Sequence, residues 1–313
     1  MWGAELLAVV APGQGSQSVG MLSPWITDSK TKELVASWRS LISVDLLKLG
    51  QIGTSEEIKS TDNAQLLIFV TSILSSLHLD LKNAKDQSII FAGHSVGEFA
   101  AYSIAGTFEV DQALKVVARR GQAMLTASNA FSKTGMSAIL GGNKDAVISY
   151  LKEFDLIPAN INSNGQIIAA GTLDNLDRLA NTPLTGTRVR PLEVSAAFHT
   201  KYMEPAISQF KEIFNNVKTN SSSQIILSNK NGEELNSPEE IISSLINQVV
   251  SPVRWDLCQA KMVDMGVTGM LELAPGGTLC GIAKKEIPSV ETFAIKSPED
   301  IQSANEFIRK HIG

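Results

Sequence analysis

The sequence predicts an α/β protein: a parallel-sheet core carrying a second, smaller β-α-β-β-α-β unit as an insert. Three observations carry this. The apolar runs Leu6–Ala11, Ser88–Ala92 and Thr268–Leu273 each feed a Gly-containing turn, as strands buried on both faces do. Helical periodicities lie between them. From about residue 131 to 196 the order changes to strand, helix, strand, strand, helix, strand, which is the ferredoxin-like pattern. The expected division is a large core of residues 1–130 and 197–313 around a small unit of residues 131–196.

The elements follow in order. Leu6–Ala11 runs into Pro12-Gly13-Gln14-Gly15. Leu34, Trp38 and Leu41 fall at helical spacing. Thr61–Leu81 reads as a long helix capped by Thr61 or Asp62. Ser88–Ala92 meets Gly93-His94-Ser95-Val96-Gly97 and then a helix to Ile104, which Gly106 can stop. Another helix spans about Asp111–Leu125. In the insert, Met136–Leu140 is a strand, and Asn143 caps a helix with Val147, Leu151 and Phe154 on one face. Ile157–Ile161 and Gln166–Ala170 form a hairpin through Asn164-Gly165. Leu173–Ala180 is a helix and Arg188–Val194 a strand. Beyond it, His199 opens a helix bearing Tyr202, Ala206, Phe210 and Ile213, and Gln224–Ser228 is a strand. Ser237-Pro238-Glu239-Glu240 reads as a capping box. Gly266 ends a further helix, and the last helix starts at Ser297-Pro298-Glu299.

Composition narrows the function. The 27 basic and 32 acidic residues give a net charge of −5, without the basic stripe of a nucleic-acid binder. Aromatics at 6% and charged residues at 19% fit a packed enzyme. No run reaches ~18 apolar residues, and no signal peptide is visible, so a cytoplasmic protein without a membrane span is expected. Cys258 and Cys280 form no CxxC pattern, and reduced thiols are expected.

The strongest chemical signal is Gly93-x-Ser95-x-Gly97 between an apolar strand and a helix, the setting of a nucleophile elbow. Such a turn lifts the hydroxyl above the sheet and puts the Val96 N–H at a helix N-terminus. A serine needs a base. Of four histidines, His78 and His311 read as solvated helix residues, and His94 should point away from the active face. His199, at the junction after the insert, is the best base by elimination. The Gln14 loop lies at the carboxyl end of a parallel strand, where ligands bind. It lacks the Gly-Lys-Ser/Thr of a phosphate loop, and a plain turn is the alternative. Of Arg119 and Arg120, one must approach the buried helix face. A surface salt bridge suits Arg119, and a fixed fork for a carboxylate suits Arg120.

Taken in order, Pro12-Gly13-Gln14-Gly15-Ser16-Gln17, Gly93-His94-Ser95-Val96-Gly97-Glu98, Arg120-Gly121 with Met124, Ala197-Phe198-His199, and Gln248 with Ser251-Pro252-Val253-x-Trp255 resemble the malonyl-CoA:acyl carrier protein transacylases. The segments Ile139–Gly142 and Val253–Cys258 look most like the discrete actinobacterial enzymes of fatty-acid or polyketide synthesis. The resemblance covers Leu6 to about Lys285 and implies a hydrolase-like core. It implies that Ser95 is the acylated nucleophile, His199 its base, and Gln248 the residue orienting that base through its main-chain oxygen. Gln14 and Val96 resemble the oxyanion-hole positions. Arg120 resembles the partner of the malonyl carboxylate, and Phe198, with Met124 nearby, the position that excludes branched extender units. The implied substrates are malonyl-CoA and an acyl carrier protein, handled by a monomer with no cofactor or metal. Two departures stand out: Ala274-Pro275-Gly276-Gly277 replaces Gly-Pro-Gly-Lys, and Leu66 stands where relatives often carry Pro. A serine esterase or thioesterase on the same elbow is one alternative, and a non-catalytic module that docks a carrier protein is another.

Overall fold

The computed structural model describes residues 6–81, 84–85, 87–131, 133–194 and 196–312. Nine strands occur among them: β1 (Leu6–Ala11), β2 (Ile89–Gly93), β3 (Thr134–Gly141), β4 (Ile157–Ser163), β5 (Gln166–Thr172), β6 (Thr187–Pro191), β7 (Ile225–Ile226), β8 (Val267–Glu272) and β9 (Glu291–Ala294). Five form a parallel sheet in the order β7-β2-β1-β8-β9. The run of apolar residues in β1 has a physical reason: both faces are covered. Leu7, Val9 and Ala11 pack into one core, while Ala8 and Val10 pack into a second.

The other four strands form a separate antiparallel sheet in the order β4-β5-β3-β6, with helices Lys144–Lys152 and Leu173–Asn181 between β3 and β4 and between β5 and β6. Strand alternation gives this sheet two different faces. Ile139, Ile161, Ile167 and Ala169 turn to its own helices and meet Val147, Leu151 and Leu179. Met136, Asn160, Asn162 and Ile168 turn the other way and form a wall of the cleft described below. The sheet is tied to the core at Val253, whose N–H donates to Ala159 and whose carbonyl accepts from Ile161.

Several elements differ from the sequence reading. The helix expected to reach Leu81 spans Thr61–Ser76 and follows Ser60. The strand expected over Gln224–Ser228 shrinks to β7, because Leu227 turns to bridge Glu234. β6 stops at Pro191, not Val194: Leu192 N–H still donates to Met136 O at 3.0 Å, but Val194 N–H turns back to Leu192 O at 2.9 Å and leaves the ladder. The Asn164-Gly165 hairpin forms, yet neither residue takes a positive φ. Only half of the box at Ser237 exists: its hydroxyl accepts from Glu240 N–H, but the Glu240 carboxylate caps Asn236. The helix Thr278–Glu286 and edge strand β9 were not expected. His311 is buried rather than solvated, bonded to Thr268 Oγ1 at 2.8 Å. No described helix is long and apolar enough to cross a membrane.

Candidate active site

β2 ends at Gly93 and the helix Gly97–Ile104 begins four residues later. A turn this tight has no room for side chains at its flanks. A Cβ at Gly93 would stand 2.0 Å from Gly97 C, and one at Gly97 would stand 2.2 Å from Ala11 O. Ser95 sits at the apex with φ of 54°, a left-handed conformation that costs a non-glycine residue roughly 1–2 kcal/mol. Asn229 at the end of the β7 segment braces this strain. Its Oδ1 accepts from Ser95 N–H at 2.7 Å, and its Nδ2 donates to Gly93 O at 2.6 Å.

His199 does not open a helix as expected. It precedes the turn Lys201–Met203, takes φ of 60°, and is followed by Thr200, the cap of that turn. The irregular backbone swings its ring over the elbow. Nδ1 donates to Gln248 O at 2.8 Å; because a carbonyl only accepts, Nδ1 carries the proton and Nε2 is left as an acceptor. Ser95 Oγ lies 2.8 Å from that Nε2. Burial, reinforced by the Arg120 charge, pushes the His199 pKa down to about 3, so the ring is neutral and can take the hydroxyl proton.

Arg120 lies on the helix Val110–Ala130, whose apolar positions Ala113, Leu114, Val117 and Met124 set its buried face. Arg119 is exposed, and Arg120 is only 1% exposed. The guanidinium donates from Nη1 to Gln65 Oε1 at 2.6 Å. From Nη2 it reaches Gln248 Oε1 at 2.6 Å and Ser95 Oγ at 3.0 Å. Burial lowers its pKa to about 10, which leaves it charged at neutral pH. Gln65 reaches it because the helix Thr61–Ser76 packs directly on Gly121, where a Cβ would stand 2.7 Å from Asp62 Cα.

A cleft of about 510 Å³ opens over Ser95 and His199. One wall is the Gln14 loop, another the β3-β4-β5 face, and Phe198, Met124 and Met136 make an apolar side. Among the described residues, the backbone N–H groups of Gln14 and Val96 have no protein acceptor. His94 departs from expectation by lining the same cleft, half-buried, with Nε2 2.9 Å from Asn162 Oδ1. Lys59 and Glu193 pair at 2.5 Å on the rim. No group of three or more His, Cys, Asp and Glu among the described residues could hold a metal ion.

An acyl transferase domain model matches residues 9–305. The chain is 43% identical to the malonyl CoA-acyl carrier protein transacylase of Mycobacterium tuberculosis over 297 residues, 95% of this chain and 98% of that protein. The chain belongs to the malonyl CoA-acyl carrier protein transacylase family. Its fold superposes on the crystal structure of the Mycobacterium tuberculosis MCAT with a TM-score of 0.91, covering 96% of this chain and 99% of that one, at 43% identity. It is also similar, with a TM-score of 0.88 and 28% identity, to the malonyl-transacylase solved in complex with a type II PKS acyl-carrier protein; the match covers 96% and 99% of the two chains.

Every site residue singled out from the sequence falls in or directly beneath the cleft: Gln14, Ser95, Met124, Phe198 and His199 line it. Arg120 and Gln248 form its floor, bonded to Ser95, and Val96 is buried beside them. Sequence reasoning missed Gln65, Asn229 and the role of Glu98. Only Asn229 had a readable signal, its place at the carboxyl end of a parallel strand.

Proposed function

We propose that this protein moves malonyl from malonyl-CoA to the phosphopantetheine thiol of an acyl carrier protein, through an ester on Ser95. One observation carries the reading: the Ser95 hydroxyl lies within hydrogen-bond reach of both a neutral imidazole and a buried guanidinium. An ordinary esterase has no use for the second, since its acyl chain ends without charge.

The thioester enters with its carboxylate toward Arg120, which exchanges a neutral acceptor for a charged one. His199 Nε2 takes the Ser95 proton as Oγ attacks the carbonyl carbon. The oxyanion is held by the N–H groups of Gln14 and Val96. As the tetrahedral adduct collapses, the C–S bond breaks and the coenzyme A sulfur takes the proton from His199. The carrier thiol then gives its proton to His199 and attacks the ester, and Ser95 Oγ recovers a proton as it leaves. These steps balance without a metal or bound cofactor. Phe198 and Met124 flank the acyl position and would crowd a branch at the α-carbon.

The reading extends to organisation. Residues 131–196 are taken as a ferredoxin-like unit, supported by the strand order β4-β5-β3-β6 with two intervening helices. The remaining 1–130 and 197–313 are taken as a hydrolase-like core, supported by the elbow at the end of a parallel strand. The protein is taken as a monomer. Coenzyme A thioesters and free carrier thiols suit the cytoplasm, in fatty-acid or polyketide synthesis.

Intact-mass analysis after mixing with malonyl-CoA, acetyl-CoA and methylmalonyl-CoA tests this. Wild type should gain one malonyl group and pass it to the holo carrier protein, and Ser95→Ala should gain none. A malonyl adduct on Ser95→Ala, or release of malonate to water in place of transfer, would overturn it.

A further inference from the structure

The helix Gly97–Ile104 carries a buried carboxylate that the mechanism above does not use. Glu98 is 0% exposed, one turn below the elbow. Its Oε1 accepts from Asn229 N–H at 2.6 Å and from Tyr102 Oη at 2.9 Å. Its Oε2 accepts from Gln248 Nε2. Among the described residues no salt bridge joins it to Arg120; the two charges meet through Gln248, which bonds both, and each favours the ionised form of the other.

Gln248 stands between the two charges. Its Nε2 donates to Glu98 and to Ser95 O at 3.0 Å, and its Oε1 accepts from Arg120 Nη2. The two ends of an amide are nearly the same size, so only the surrounding donors and acceptors decide which way it points. Reversed, it would aim NH₂ at the guanidinium and oxygen at the carboxylate, two repulsive contacts in a water-free site. The carboxylate therefore fixes the sense of the amide, and the amide fixes Arg120.

The indirect arrangement has a chemical advantage. A carboxylate paired directly with Arg120 would occupy the fork that a substrate carboxylate needs. At one amide's remove, Glu98 balances the buried charge while the guanidinium's hydrogen-bond acceptors among the described residues are neutral oxygens, each exchangeable for an incoming anion. Resting on the malonyl-transfer reading above, we infer that Glu98 is a positioning residue for acyl selectivity: through the Gln248 amide it holds Arg120 oriented and unpaired for the carboxylate of the acyl group. Glu98 touches neither substrate nor the reacting atoms.

The test is the ratio of malonyl to acetyl loading, measured as kcat/KM on each thioester alongside the melting temperature. Glu98→Gln keeps shape and one acceptor but removes the charge that orients Gln248. The expected result is a drop of about tenfold or more in the ratio, with acetyl loading reduced far less. Tyr102→Phe removes a donor to the same carboxylate and leaves its charge, so its ratio should stay within about twofold of wild type. A folded Glu98→Gln variant that keeps the wild-type ratio overturns the inference. So does an equal drop in Tyr102→Phe, which would mark the effect as loosened packing. Wild type without a malonyl preference would instead sink the parent reading and this one with it.

If Glu98→Gln does not fold, the wild-type ratio is measured from about pH 8.5 to 6. Burial raises the Glu98 pKa to about 7, against its hydrogen bonds and Arg120, so its charge is lost across this range as pH falls. The groups facing it keep one state: Arg120 stays charged, the Tyr102 hydroxyl and Cys258 thiol are pushed up, and His199 stays neutral. The ratio should fall with pH, and a constant ratio overturns the inference.

Discussion

The floor of the cleft and its rim are built on opposite terms. On the floor, Ser95, His199, Arg120, Gln248, Glu98 and Asn229 are all buried, and each bonds at least one of the others. The rim pair Lys59–Glu193 is also short, yet its two side chains are 50% and 80% exposed. Both regions present charge to the same cavity. On the floor, the charge is fixed in position by neighbours that cannot be replaced by water. On the rim, water competes for each partner, and salt screens the attraction. The difference teaches where chemical selectivity can reside: in groups whose alternatives to the observed contacts are costly.

The largest expected effect is at the base. His199→Ala should slow formation of the acyl-enzyme by about 10²–10⁴-fold while the fold persists, as followed by rapid-quench mass analysis. Near-normal acylation would transfer the role to another group, and half-buried His94 is next in line.

The adjacent arginines put the contrast within one helix turn. Arg120→Ala should reduce the preference for malonyl over acetyl by about ten- to a hundredfold, and Arg119→Ala should leave it within about twofold, as measured by competition loading. Equal effects would erase the distinction between buried and exposed charge. Phe198→Ser opens apolar space beside His199, and apolar shape is a weaker discriminator than a buried charge. The wild-type preference for malonyl over methylmalonyl should be roughly ten- to two-hundredfold, and the variant should narrow it while keeping malonyl transfer. Joint loss of both activities with a fallen melting temperature would make Phe198 a packing residue only.

Acid sharpens the same contrast as a stability effect. Burial holds the folded His199 pKa down near 3, while an unfolded histidine titrates near 6.5. The unfolded chain therefore binds the extra proton first. The stability tied to neutral His199 is fully present above about pH 6.5 and is lost as pH falls from there toward 3, by up to about 1.4 kcal/mol per pH unit. His199→Gln should flatten that limb of the denaturation profile, and an unchanged limb would show that the site admits water. The smallest effect belongs to the rim: Lys59→Ala should leave the melting temperature and malonyl KM within experimental error at physiological salt. A severalfold rise in KM would make the rim a binding element in its own right.

The parts of the site carried by local pattern were legible before the structure. Gly-x-Ser-x-Gly between a strand and a helix is a backbone requirement, and its reason is visible in the contacts that a Cβ at Gly93 or Gly97 would make. The helix period showed that one of Arg119 and Arg120 approaches the buried face, and the family resemblance, which supplies the carboxylate, pointed to Arg120. The acceptor at Gln65 was not legible, because it meets Arg120 from 55 residues away, and Asn229, 134 residues from Ser95, was marked only by its place near the carboxyl end of a parallel strand, with no sign of what it braces. His199 was singled out, but its backbone was not foreseen, since a left-handed residue without glycine or asparagine leaves no local mark. His311 is a different failure. It shares a helix face with Ala304, Phe307 and Ile308, and that spacing, taken over nearness to the chain end, predicts burial.

Gly121 sets a distance as well as a fold. With no side chain between the helices Val110–Ala130 and Thr61–Ser76, their backbones close until only the glycine hydrogen separates Gly121 from Asp62. The residue before it, Arg120, inherits that spacing, and its reach to Gln65 is gauged by it. The Arg-Gly pair therefore works as a tool and its stop: one residue supplies the charge, and the next limits how far away the supporting helix can stand. A methyl group at the second position would leave the arginine in the sequence and withdraw the surface it leans on.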